Sequence, residues 1–166
     1  MRLGATIGIM ALATALLVSA GGTASAQAAT SCTWGGTPDA PTGIFTASPG
    51  LTNTPAPGPL KFEATGVLAG GGRCTGRMTF TGEVNAGSTC LLASFEGTVK
   101  GLPGVARFSG EGNALVHEFL YDEDGNVVGV DQPLVAPPPA DDPAFINCNT
   151  PQGITRAGFS AKVELF

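Results

Sequence analysis

The chain has 166 residues, with 13 acidic and eight basic side chains, one histidine and four cysteines. An acidic chain without a basic cluster repels phosphate backbones and anionic lipid surfaces, which excludes nucleic-acid binding. A single histidine, no CxxC pair and no G-x-S-x-G motif argue against a metal centre and a hydrolase triad. We therefore expect no metal ion and no cofactor.

The N-terminal segment has the three-part layout of a secretory signal peptide. Arg2 gives a positive start, residues 3–18 are apolar and uncharged, and residues 24–26 form an A-x-A cleavage site. The apolar run of about 16 residues is shorter than the ~20 that a spanning helix needs. We expect cleavage after residue 26, secretion, and no membrane association of the mature chain. The Lys-poor, Ala- and Gly-rich composition favours a bacterial source.

Residues 27–166 are predicted to form one folded unit in two parts. Residues 27–60 are rich in Pro, Gly and Thr and contain a first strand at "GIFTAS" (43–48). Residues 61–166 form the main β domain, because apolar and polar residues alternate there with the period of two that is typical of half-buried strands. The predicted strands are 61–68, 77–84, 91–100, 106–112, 114–121, 127–135 and 156–166.

The connections between most of these strands are short and carry Gly or Asn, so consecutive strands are expected to be antiparallel neighbours. The predicted fold is all-β, a single-domain antiparallel meander of about seven or eight strands. It closes into a small β-barrel, with a β-sandwich as the alternative.

A Phe-x-Gly motif occurs three times, in "FTGEV" (80–84), "FEGTV" (95–99) and "FSGEG" (108–112). Phe and Gly two positions apart share the apolar face of a strand. Glycine on an inner face permits a sharp bend, and a large neighbour fills the space it leaves. The motif is interpreted as a packing device of a curved sheet; the alternative is that the glycines admit a ligand close to the backbone.

Four cysteines in an exported chain predict two disulfides. In a hairpin around residues 85–88 the apolar faces coincide only if paired positions sum to an odd number, most simply Val84 with Thr89 or a nearby equivalent, so Cys90 lies beside the turn. Cys74 is then about 30 Å away at ~3.3 Å per residue, whereas a disulfide needs Cα atoms within ~7 Å. The meander places Cys32 near Cys74 at one end of the molecule and Cys148 near Cys90 at the other, which predicts Cys32–Cys74 and Cys90–Cys148.

Candidate ligand-binding residues lie on the strand at 114–121. His117 shares one face with Tyr121, and Glu118 lies on the other, so one of these faces projects a polar group into the interior. His117, Glu118 and Tyr121 are the predicted site. His117 has the chemistry of a general base, although a barrel-rim or surface histidine is the favoured interpretation, and no residue is assigned as catalytic. "DEDGN" (122–126) lacks the spacing of a calcium loop and is interpreted as a tight acidic hairpin turn.

Residues 40–51 and 60–71, "APTGIFTASPGL" and "LKFEATGVLAGG", resemble the start of the secreted chromoprotein apoproteins of actinomycetes. Those are small disulfide-bonded β-sandwiches that carry an enediyne. The resemblance implies a carrier, contains no ligand-binding motif and assigns no residue. The predicted long-range disulfides depart from that family's short local loops.

Four functions remain open on this basis. The favoured one is a secreted, non-catalytic binding or structural module whose partner the sequence does not name. The alternatives are a carrier of an apolar small molecule in the barrel interior, a small-barrel isomerase or cyclase, and a protease inhibitor using the Pro-rich loop 136–147. The partner is correspondingly expected to be an apolar small molecule or an extracellular protein.

Overall fold

A computed structural model describes residues 29–112, 116–136 and 146–166. The predicted signal peptide and most of loop 136–147 lie outside these residues. The described elements are β1 (Thr30–Trp34), β2 (Gly36–Thr37), β3 (Ala40–Pro41), β4 (Gly43–Leu51), β5 (Leu60–Gly70), β6 (Gly76–Val84), β7 (Ala93–Lys100), β8 (Arg107–Gly112), β9 (Val116–Tyr121), β10 (Val127–Ala136), a 3-10 turn η1 (Ile146–Asn149) and β11 (Ile154–Leu165).

Strands β4 to β11 form a closed antiparallel barrel of eight strands. Each strand pairs with the next in the chain, and β11 returns to pair with β4. Closure gives each of the eight barrel strands a neighbour on both sides, which is how small antiparallel sheets avoid pairing with other chains. The predicted meander and barrel are confirmed. The sandwich is wrong, both as the alternative and as the fold implied by the resemblance.

β1 and β4 share one place in the barrel wall, because both lie between β11 and β5. β1 pairs with the C-terminal half of β11 and also with β5, while β4 pairs with the N-terminal half of β11. Between them, the short hairpin β2–β3 leaves the wall and packs against β11. Gly35 allows this exit, because its φ is +71° and an added Cβ would lie 2.8 Å from the Gly43 Cα. β1 was not predicted, although Cys32 and Trp34 alternate with serine and threonine.

The barrel core contains the residues that the alternation assigned to the apolar face. Those buried include Phe62, Ala64, Leu68, Met78, Phe80, Val84, Ala93, Phe95, Val99, Phe108, Phe159, Ala161, Val163 and Leu165. The ladder places Phe108 opposite Gly97, and a Cβ on Gly97 would lie 2.8 Å from the Phe108 ring. Aromatic rings thus occupy the space above neighbouring glycines, which supports the packing interpretation of the Phe-x-Gly motif.

The predicted pairing of Val84 with Thr89 is wrong. Val84 pairs with Phe95, and β7 begins at Ala93 rather than residue 91. The intervening loop is folded on itself, because the Ser94 amide donates to Ser88 Oγ at 3.1 Å. The register still has the predicted parity, so the inward faces of both strands were assigned correctly from residue 93 onward. Leu91, which the alternation placed inside, is 71% exposed in the loop.

Both predicted disulfides are confirmed. Cys32–Cys74 joins β1 to the loop after β5, with Cα atoms 5.4 Å apart. Cys90–Cys148 joins the loop before β7 to η1 at the opposite end, with Cα atoms 6.0 Å apart. Two disulfides are compatible with an extracellular protein. None of the described residues forms a helix with the length and hydropathy to cross a membrane.

Candidate functional site

A cavity of about 230 Å³ occupies the half of the barrel that faces the Cys90–Cys148 disulfide. Its described lining includes six aromatic side chains, Trp34, Phe45, Phe62, Phe80, Phe95 and Phe159. The opposite half is filled, since Met78, Leu120 and Val163 are all inaccessible to solvent. An apolar cavity of roughly 150 Å³ is enough to hold benzene, so the barrel has room for a molecule of one or two rings.

The aromatic walls are held in place by contacts with one another. The ring centroids of Trp34 lie 4.6 Å from Phe80 and 4.5 Å from Phe159, and Phe45 lies 5.5 Å from Phe62. Trp34 Nε1 also donates a hydrogen bond to the Met78 carbonyl at 3.2 Å. The Trp34–Phe159 pair is edge-to-face, a geometry that adds about 0.5–1.5 kcal/mol beyond the burial of the rings. The aromatic side chains that line the cavity therefore hold one another in position.

Glu118 is the one ionisable side chain among the described residues that line the cavity. It lies on the inward face of β9 and is only 6% exposed, and its Oε2 atom has no hydrogen-bond partner. Its neighbour in the β8–β9 ladder is Gly110, where an added Cβ would lie 2.7 Å from Glu118 Cγ. The third Phe-x-Gly motif therefore also makes room for this carboxyl group.

A second carboxyl group lies directly beside the first. Asp131 on β10 is the cross-strand partner of Glu118 and is fully buried, and its side-chain hydrogen bond is with the Glu118 carboxyl group. Side chains at directly paired positions have Cβ atoms about 4.5–5.5 Å apart. An unpaired buried carboxylate is costly, and two side by side are unusual outside functional sites. Asp131 was not among the residues that sequence reasoning selected.

A β-bulge decides that Asp131 faces inward. Tyr121 pairs with Val127, but Leu120 pairs with Gly129, so the ladder shifts by one residue between these two pairs. Without the shift, Val130 would lie opposite Glu118 and Asp131 would point to the outer face. The sequence signal was an aspartate in an apolar strand, but valines on both faces of β10 hide which face is inward.

Burial controls the ionisation of both carboxyl groups. It raises the pKa of Glu118 well above its ordinary value, and the negative charge of Asp131 raises the pKa of Glu118 further. Burial also raises the pKa of Asp131, to about 7. Two adjacent carboxyls away from water cannot both ionise easily, so near neutral pH the pair keeps at least one proton.

Charged and polar side chains on the strands flanking this pair point to the outer face. Glu111 on β8, His117 on β9, and Gln132 and Lys162 on β10 and β11 are all exposed. No lysine, arginine or histidine among the described residues is buried. The pair therefore has no cation from the described chain to balance its charge.

The three predicted site residues are not brought together. Glu118 lines the cavity, whereas His117 is exposed on the outer face of β9. Tyr121 does not line the cavity either; its hydroxyl lies 3.0 Å from Ser109 Oγ. Among the described residues, the ionisable groups inside the barrel are those of Glu118 and Asp131.

The acidic turn at 122–126 is explained by local hydrogen bonds. The Asn126 amide and side chain both donate to the Asp122 carboxylate, at 2.8 and 2.9 Å, and these bonds lower the pKa of Asp122. Gly125 has a φ of +88°, as a tight hairpin turn requires. The described residues contain no group of three or more His, Cys, Asp or Glu side chains able to hold a metal ion.

Comparison of the chain with protein-family models, with curated proteins and with solved structures finds no match.

Proposed function

We propose that the protein is a secreted, non-catalytic carrier that holds one compact, mostly apolar small molecule inside its barrel. The observation that carries this proposal is the aromatic cavity with a single carboxyl group in its described lining. Ligand sites are typically concave and apolar, with a few polar groups that fix the ligand's orientation. Glu118 has the position and chemistry of such a group.

The small side chains that line the cavity also support a carrier. A purely structural barrel gains stability if larger side chains fill that space. Ala64, Ala93 and Ala157 line the cavity instead, so small residues stand where larger ones have room.

The secreted location is part of the proposal. It depends on the signal-peptide pattern of residues 1–26 and is consistent with the two disulfides.

The first test is the substitution Ala64→Leu. The added isobutyl group projects into the cavity, so bound ligand should be lost while the free energy of unfolding rises by about 1–2 kcal/mol. The control is Ala69→Leu, the same change on the exposed face of β5. Native mass spectrometry of each protein, purified from its own producing cells, measures the ligand, and urea denaturation measures stability.

A wild-type protein that carries no extra mass, and whose Trp34 fluorescence responds to no apolar probe, would overturn the carrier proposal. Trp34 is the single tryptophan and lines the cavity, so its emission should report occupancy. Loss of ligand in both the Ala64→Leu and the Ala69→Leu variant would instead indicate a site outside the barrel.

A second candidate function is a small-barrel isomerase or cyclase. The observation that favours it is the pair Glu118–Asp131, because adjacent carboxyls with raised pKa values can donate and accept a proton within an apolar cavity. A carrier releases its ligand unchanged, whereas an isomerase converts a large excess of it. Chromatography of the ligand after prolonged incubation with catalytic amounts of protein separates the two candidates.

The inhibitor and surface-module hypotheses stay predictions. The loop proposed for inhibition, 136–147, lies mostly outside the described residues.

A further inference from the structure

The buried carboxyl pair and the aromatic wall point to the chemical class of the ligand, an inference that rests on the proposed carrier function. Among the described side chains, the carboxyl groups of Glu118 and Asp131 have only each other as hydrogen-bond partners. When the pair carries a negative charge, no basic side chain of the described residues neutralises it, and a buried charge without a counter-ion is costly. Glu118 lines the cavity, so a ligand there can supply the balancing charge.

We propose that the ligand is an organic monocation, an ammonium group attached to a compact apolar body. Its nitrogen contacts the Glu118 carboxyl group, and its body packs against the rings of Trp34, Phe62 and Phe95. The positive charge favours the ionised form of Glu118, so the proton that the pair retains lies on Asp131 in the complex. Asp131 does not line the cavity; it is a positioning residue that acts through Glu118.

Charge balance favours a cation over a neutral ligand. A neutral ligand with a carbonyl or ether oxygen accepts one hydrogen bond from a protonated carboxyl and leaves the other carboxyl without a counter-ion. A protonated amine supplies both the missing positive charge and several N–H donors. The pair with one retained proton carries one negative charge, which a monovalent cation neutralises.

The cavity wall favours an organic cation over a metal ion. Aromatic faces attract cations through the ring quadrupole, by about 0.5–2 kcal/mol for each well-placed ring, and the effect is largest when water is excluded. A metal ion of the size of calcium or magnesium instead needs six or more oxygen ligands, which this apolar wall does not offer.

The test uses two probes of the same shape, benzylamine and ethylbenzene. They differ in that an ammonium group replaces a methyl group, so the comparison isolates charge and hydrogen bonding. Titration followed by Trp34 fluorescence and by calorimetry at pH 8 gives both affinities. The variants are Glu118→Gln, which keeps the shape of the side chain, and His117→Gln, the neighbouring residue on the exposed face, as the matched control.

We expect Glu118→Gln to weaken benzylamine binding about tenfold or more, the usual cost of losing a charged hydrogen bond, and to leave ethylbenzene binding unchanged. His117→Gln should change neither affinity. Benzylamine should also bind more weakly at pH 5.5 than at pH 8, because both carboxyls are then protonated, while ethylbenzene binding stays constant.

The results that would overturn the cation inference can be told apart from those that would also overturn the carrier proposal. If ethylbenzene binds but benzylamine does not, or if Glu118→Gln leaves benzylamine binding intact, the cation inference fails and the carrier proposal stands. If neither probe binds and the protein from its producing cells carries no ligand, both fail. Urea denaturation of each variant establishes that it is folded at the pH used.

Discussion

At the scale of single residues, the chemistry of this protein is concentrated in two carboxyl groups. Glu118 and Asp131 are paired across strands β9 and β10, and they are the two buried ionisable residues among those the structure describes. Each is costly there, since burial opposes ionisation and the chain's described cations point elsewhere. Residues that oppose stability in this way are often retained for function, as in carboxyl pairs at acid–base and binding sites.

The substitution Asp131→Asn should stabilise the protein at high pH. The folded-state pKa of Asp131 is raised from 3.8 to about 7, so the folded protein holds this proton more tightly than the unfolded chain. The wild type therefore loses stability as pH rises from about 4 through 7, and the asparagine variant avoids this loss. Each tenfold difference in proton affinity between the folded and unfolded states corresponds to about 1.4 kcal/mol, so the gain at pH 8 is at most about 4 kcal/mol.

Urea denaturation at pH 4 and at pH 8 measures this gain, which should be small at the lower pH. Asp39→Asn, a change at an exposed turn residue, is the control and should show no gain at either pH. An Asp131→Asn gain of equal size at both pH values would contradict the burial argument and indicate a packing effect.

At the scale of elements, the barrel depends on close approach between neighbouring strands at glycine. The Cβ that alanine would add at Gly97 lies 2.3 Å from the Thr81 carbonyl oxygen and 2.6 Å from the Gly82 Cα. Because these are backbone atoms, the clash is relieved only by moving strand β6 away from β7. The glycines therefore set the distance between strands as well as the space for the aromatic rings.

Gly97→Ala should destabilise the protein by about 1–3 kcal/mol or more, the usual range for overpacking. Gly158→Ala on β11 is the matched control, because its Cβ meets only one atom, the Gly43 carbonyl oxygen at 4.0 Å. Chemical denaturation of both variants tests the difference. Equal stability of the two would mean that the strands separate at little cost and that the glycines are not required for packing.

At the scale of the whole molecule, the two disulfides fasten opposite ends of the barrel. Cys32 and Cys74 are 2% and 0% exposed within the filled end. Cys90 and Cys148 are only partly buried, and both line the cavity. The first disulfide belongs to the packed core, and the second borders the proposed binding site.

Mild reduction without denaturant should open Cys90–Cys148 before Cys32–Cys74, because the attacking thiolate needs access to a sulfur atom. Alkylation of the freed thiols followed by peptide mass mapping gives the order. The same sample should show weaker probe binding while the barrel remains folded by circular dichroism. Simultaneous reduction of both bonds would indicate that the protein opens globally before either is attacked.

Most of the barrel strands, their order and the inward faces of the strands that carry the Phe-x-Gly motif could be predicted from the sequence, because period-two alternation is a local property of each strand. The sequence also determined both disulfides, since a meander fixes which cysteines lie at the same end. Trp34 and the strand around it were missed because β1 is short and is followed directly by the β2–β3 hairpin.

The tertiary structure alone decided where the polar chemistry lies. The alternation limited the inward residue to His117 or Glu118, and only the closed barrel shows that it is Glu118. Asp131 faces inward because of a one-residue shift between Val127 and Gly129, and a local pattern with valines on both faces cannot reveal such a shift. The cavity likewise depends on how eight inner faces fit together, since the space left between side chains is a property of the assembled barrel and of no single strand.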